Sequence, residues 1–179
     1  MKSVKQMSQA EVAAYVQNHL KSEGITVVLS GGAAVAIYSS NKYVSQDIDL
    51  VNVYSVNRRT IRASMRGIGF IEEGRYFKHP DSQFIVEFPP GPATIGEEPI
   101  KRVLEIELIT GILRIISPTD CVKDRLAAYY HWGDNQCLAQ AILVAQEHDI
   151  DLKEISRWSH TEGKHDEFER IRPKLSGEI

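Results

Sequence analysis

At 179 residues, with 42% hydrophobic and 25% charged residues, the chain is long enough for one substantial core with at most a small appendage, and it lacks the bias of a low-complexity or disordered protein. A net charge of −3 excludes a surface built throughout to grip phosphate backbones. The polar first ten residues and the lack of a long apolar run point to a cytoplasmic protein without a membrane partner.

Ser8-Gln9-Ala10-Glu11 has the form of a capping box, in which a hydroxyl and a carboxylate satisfy the free amides of a helix start. Val12, Tyr15, Val16 and Leu20 follow at helical spacing, up to Gly24. Residues 25–29, Ile25-Thr26-Val27-Val28-Leu29, are a continuous run dominated by β-branched side chains, the pattern of a strand buried on both faces. The run breaks at Ser30-Gly31-Gly32, and the small residues 33–38 predict a short helix. After a polar loop over 39–46, residues 47–53 alternate polar and apolar, as in a strand whose acidic face opens on a cleft.

Residues 56–68 have helical periodicity through Ile61 and Met65. Short strands are predicted at 70–71 and 76–77 around Gly74, and another at 83–88, stopped by Pro89-Pro90-Gly91-Pro92. Two more strands are predicted at 103–108 and 112–116. From Ser117 the apolar spacing is helical, through Leu126 and Tyr130, Leu138 and Ile142, then Leu152, Ile155 and Trp158. The chain therefore divides into an α+β part, 1–116, and a C-terminal helical part, 117–179.

Several residues have ordinary readings. Arg58, Arg59, Arg62 and Arg66 share one predicted helix; such a run is first a solvated face, with a nucleic-acid contact as the lesser alternative. Cys121 and Cys137 belong to no paired framework and read as buried free thiols. His79, His131, His148, His160 and His165 lack the spacing of ligands on one element, so each reads as a surface or capping residue. Trp132 and Trp158 read as core packing of the helical part.

The chemistry gathers elsewhere. Asp47 and Asp49, two apart on a strand, point to one side. Glu87 shares its side with Ile85 while Val86 and Phe88 take the other, so a neighbouring strand could set a third carboxylate beside the pair. Three converging carboxylates are costly unless metal or protons compensate them, and Mg²⁺ takes such oxygens readily. Gly31 and Gly32 let backbone approach a ligand, and the helix start after them aims free amides at an anion such as a triphosphate. Ser30 either donates a further hydroxyl bond or caps the short helix.

The order of these pieces from Val27 to Val51, VVLSGGAAVAIYSSNKYVSQDIDLV, resembles the signature of the nucleotidyltransferase (polymerase-beta-like) superfamily. There a Gly-Gly or Gly-Ser turn precedes a strand with the pattern hydrophobic-Asp-hydrophobic-Asp-hydrophobic. Within it the chain is most similar to the minimal bacterial type related to abortive-infection and toxin–antitoxin proteins, which use Gly-Gly and continue into a helical part carrying a lysine, as at Lys123. The resemblance implies a nucleotidyltransferase fold, a mixed sheet flanked by helices. It implies that Asp47, Asp49 and Glu87 hold Mg²⁺, two ions with a nucleoside triphosphate bound, and that Ser30, Gly31, Gly32 and Lys123 meet the nucleotide. Lys123 has an alternative partner in a helix neighbour such as Asp120 or Glu147. The expected reaction carries a nucleoside monophosphate to a hydroxyl of a protein, an RNA or a small molecule. The alternatives are a nucleotide-binding or partner-binding module without catalysis, one half of a two-protein regulatory pair, and hydrolysis of a phosphodiester at the same site.

Overall fold

Ser8 accepts a bond from the Glu11 amide and the Glu11 carboxylate accepts one from the Ser8 amide, and this reciprocal cap opens helix α1, Gln9–Ser22. The computed structural model describes residues 2–178. Strand β1, Val27–Ser30, is buried along its length and runs directly into helix α2, Gly31–Tyr38. Strand β2, Asp47–Asn52, alternates half-buried Asp47, Asp49 and Val51 with buried Ile48, Leu50 and Asn52. Helix α3, Arg58–Gly67, leads to a hairpin of β3, Ile71–Glu73, and β4, Tyr76–Lys78, and then to β5, Ile85–Glu87.

A proline-rich strap comes next. It carries a two-stranded ribbon, β6, Thr94–Ile95, and β7, Glu98–Pro99, that the sequence pattern does not announce. Strands β8, Val103–Leu108, and β9, Gly111–Ile116, form the last hairpin. Four helices complete the chain: α4, Pro118–Trp132, α5, Asn135–Glu147, α6, Leu152–Thr161, and α7, His165–Ser176.

The main sheet has seven strands in the order β3-β4-β5-β2-β1-β9-β8. It is mixed: β2 is parallel to β5 and β1 to β9, while β1–β2 and the outer pairs are antiparallel. With helices packed about it, this is the α+β architecture expected from the sequence. Register positions the site. Ser30 pairs with Asp49, and Asp49 with Glu87, so the three side chains share one side of the sheet, with Asp47 two residues back on that side. The other side, through Leu29, Ile48, Leu50, Phe77 and Val86, is wholly buried. The core continues without a break into the last four helices, through Val122, Leu126, Val144, Ile155, Trp158 and Phe168. Each such side chain stabilises the fold by about 1.5–3 kcal/mol through burial.

The two tryptophans part company. Trp158 is fully buried, stacked on Tyr130 at 5.9 Å, with Nε1 donating to the Ile95 carbonyl at 3.3 Å. Trp132 is 83% exposed at the end of α4, which corrects its reading as a core residue. Tyr130 already occupies the inward face of that last turn, and a residue two positions on points away from it. Cys121 and Cys137 are buried free thiols, as expected. Among the described residues no helix is long and apolar enough to cross a membrane.

Candidate active site

The acid-bearing side of β2 and β5 floors a cleft of about 280 Å³. Ser30, Asp49 and Glu87 line it from the sheet and Gly31 from the start of α2, the strap supplies Pro89, Pro92 and Ile95, and α4 supplies Asp124 and Arg125. Gly31 is fixed by this geometry. Its φ of +67° is in the left-handed region that favours glycine, and a Cβ there would fall inside contact distance of the Asp49 carboxylate. Ser30 stands at the N-cap position of α2, yet its side chain makes no capping bond, so its hydroxyl is left for the cleft.

Burial, together with the charges of Glu87, Asp124 and Asp47, pushes the Asp49 carboxyl up to about 6, against a smaller opposing pull from Arg125. Arg125 is itself held charged: burial works against it, but Asp124 outweighs burial and raises it above the ordinary arginine value. Asp124 Oδ2 accepts from Arg125 Nη2 at 2.6 Å and from Nε at 3.1 Å, which fixes the guanidinium. At the mouth, Arg75 Nε approaches Glu87 at 3.5 Å while its guanidinium lies over the Tyr76 ring at 4.8 Å.

Among the described residues no three acidic, histidine or cysteine side chains close into a ready-made metal cluster. The donor chemistry still fits a hard divalent cation: Asp47, Asp49 and Glu87 supply carboxylate oxygens on one side of two rigid strands. None of the five histidines singled out in the sequence lines the cleft.

Lys123 is not brought there. It is fully buried, with Nζ 3.3 Å from Asp120 and 3.2 Å from Glu154, and it lies over the Trp158 ring at 5.7 Å. Glu147, its other suggested partner, pairs instead with Lys42. The cation facing the cleft from α4 is Arg125, two residues later. At 100° per residue, positions 123 and 125 lie on nearly opposite faces of a helix, and nothing in the local sequence says which face turns to the cleft. Lys123→Met is expected to lower stability by about 1–4 kcal/mol, because Asp120 loses its buried partner, and to leave nucleotide affinity of the folded protein unchanged. Thermal melts beside nucleotide titrations check this.

No protein-family model matches the chain, and no curated protein does. Among solved structures, the chain is similar to an antigenic nucleotidyltransferase-like protein from Paracoccidioides brasiliensis, at 16% identity and a TM-score of 0.56, over 77% of this chain and 76% of that one. It is also similar to ANT(2")-Ia, whose structure holds adenylyl-2"-tobramycin, at 16% identity and a TM-score of 0.51, over 78% of this chain and 89% of that one. At this identity the likeness speaks for architecture, and the chain has the nucleotidyltransferase-like fold.

Proposed function

We propose that the chain is a Mg²⁺-dependent nucleotidyltransferase, moving a nucleoside monophosphate from a nucleoside triphosphate to an acceptor hydroxyl. The observation that carries this is the register placing Asp49 beside Glu87, with Asp47 on the same side, and the glycine start of α2 directly against Asp49. Asp47, Asp49 and Glu87 would hold the cation, two ions with the triphosphate. Bound cation supplies neutralisation of the phosphate charge and of the departing pyrophosphate. The helix-start amides at Gly31 and Gly32 and the Ser30 hydroxyl receive phosphate oxygens. Arg125 takes the phosphate-facing role that the resemblance gives to Lys123.

In the transfer step the acceptor oxygen bonds to the α-phosphorus as the bond from that phosphorus to the bridging oxygen breaks. Pyrophosphate leaves with the bonding electrons, and the hydroxyl proton passes to the Glu87 carboxylate. Kinship with the minimal bacterial type related to toxin–antitoxin proteins rests on Gly31-Gly32 standing where many transferases carry Gly-Ser. The ion pair from Arg75 to Glu87 favours the alternative of a binding module without catalysis, since it occupies the third carboxylate; Mg²⁺-dependent consumption of a triphosphate separates the two.

Calorimetric titration of the four nucleoside triphosphates, with and without Mg²⁺, tests the proposal. Binding of at least one triphosphate that requires Mg²⁺ is the expected result, and no binding with Mg²⁺ present would sink it. Arg125→Ala is expected to weaken that binding about 10–100-fold, the loss of one or two charge-assisted hydrogen bonds, with the fold intact by circular dichroism.

A further inference from the structure

Side chains close the backbone around the last hairpin of the sheet at every place but one. Gln17 of α1 donates to the Arg114 carbonyl at 2.8 Å and accepts from the Arg114 amide at 2.7 Å, and Asn18 donates to the Ile112 carbonyl at 2.9 Å, which seals β9 on its inner side. Asp120 takes the Lys101 and Arg102 amides just ahead of β8. At the far edge of the sheet β3 is only three residues long, too short to invite pairing.

Strand β8 is left open. It is six residues long, ends the sheet, and packs along β9 and along no other element. Ser117 donates to the Arg102 carbonyl at 2.9 Å, and this sets the phase of the antiparallel ladder: residues 104, 106 and 108 spend their amides and carbonyls on β9, while 103, 105 and 107 turn theirs outward. Among the described residues no side chain meets those outward groups. A long edge of this kind is a template for a further strand.

Charge decides which strand. Glu105 and Glu107 are exposed on one side of β8; Glu105 reaches Arg114 at 3.0 Å, but Glu107 stands opposite Ile112. The other side, Leu104, Ile106 and Leu108, is apolar and half-buried. A second copy fits poorly. Its outward residues would have to meet 103, 105 and 107, so full antiparallel overlap sets Glu105 against Glu105, and a slide of two residues one way sets Glu105 against Glu107; like charges directly opposite are destabilising. The slide the other way needs Lys101, whose amide is held by Asp120 and whose ammonium is held by Glu154 at 2.7 Å. Beside Leu104 the edge runs into a cavity of about 400 Å³, on which Asp149 and Asp151 outnumber Arg102.

We propose that β8 is a docking edge for an extended segment of another protein, with lysine or arginine at every second position against Glu105 and Glu107 and apolar residues between them beside Leu104 and Ile106. Main-chain bonds to residues 103, 105 and 107 hold the segment, and the two carboxylates select its charge. The assignment stands apart from the nucleotide chemistry.

Fluorescence anisotropy of a labelled seven-residue peptide alternating lysine and valine, on the full chain, tests it. Half-saturation below about 100 μM is expected. A peptide of the same composition with its lysines in one block, and the alternating peptide with its ladder amides methylated, should each bind at least about tenfold more weakly. Val103→Pro removes one outward amide from an edge position that tolerates proline and leaves every charge in place; a loss of at least about fivefold is expected, with circular dichroism and Mg²⁺-triphosphate calorimetry unchanged. Glu105→Gln/Glu107→Lys, which leaves Arg114 an acceptor, is expected to lose the lysine peptide and to take an alternating glutamate–valine peptide in its place. No binding up to about 500 μM, or equal binding of the blocked or methylated peptide, would overturn the docking edge. Sedimentation showing a dimer at about 50 μM that Val103→Pro turns into monomer would overturn the assignment in favour of a second copy.

Discussion

Asp49→Asn is expected to give a protein that melts higher than the native chain at pH 7–8, by roughly 5 °C, and that no longer binds a triphosphate with Mg²⁺. Transfer is expected to fall by at least about 10³-fold. The two effects have one cause. The Asp49 carboxyl is pushed up to about 6 by burial and by the charges of Glu87, Asp124 and Asp47. Its ionised form is therefore disfavoured in the folded chain by about 2–3 kcal/mol, at 1.36 kcal/mol per tenfold change in proton affinity. Asparagine keeps the shape and removes the charge.

The pH dependence is set by the sign of this shift. The folded chain binds this proton more tightly than the unfolded chain, so protonation favours folding. Below about pH 4 both states are protonated and the charge costs nothing; the cost grows from there to about pH 6 and is fully present above it. Melting curves of native and variant should converge near pH 4 and separate by pH 7. Curves that separate equally at every pH would show that the gain comes from packing instead of charge. A variant that still bound Mg²⁺-triphosphate as tightly as the native chain would remove Asp49 from the site.

Where local rules apply, the sequence carried its own explanation. The reciprocal cap at Ser8 and Glu11 and the alternation of β2 were both legible, because each is settled by neighbours a few residues apart. Glu87 is a stronger case: its side of β5 follows from alternation, and only the pairing of β5 with β2 had to come from the fold. The misses on α4 share one origin. Lys123, Leu126 and Tyr130 form its inward face, so Arg125 and Trp132 look outward or into the cleft, and periodicity alone does not decide which of Lys123 and Arg125 faces the phosphates. The strap was illegible for another reason. Pro89, Pro90 and Pro92 end a strand reliably, but the ribbon of β6 and β7 beyond them is held by distant partners: Arg157 on Glu98, and Trp158 on the Ile95 carbonyl.

Gly31→Ala is expected to cost both the fold and the site. At φ +67° a non-glycine residue costs on the order of 1–2 kcal/mol by backbone strain alone. The added Cβ would also overlap the Asp49 carboxylate, with Cγ only 3.0 Å away. Asp49 can yield only by turning its carboxylate away from the start of α2, because the pairing of Ser30 with Asp49 keeps even its Cβ within 3.2 Å of the added methyl. A total loss of about 2–4 kcal/mol is therefore expected, with triphosphate binding lost even in the molecules that remain folded. A double-mutant cycle separates strain from collision: in the background of Asp49→Ala the carboxylate is gone, and the cost of Gly31→Ala should shrink toward the backbone term. An unchanged cost in that background would mean that Asp49 does not meet the turn, and the arrangement of the glycine start against the acid strand would have to be redrawn.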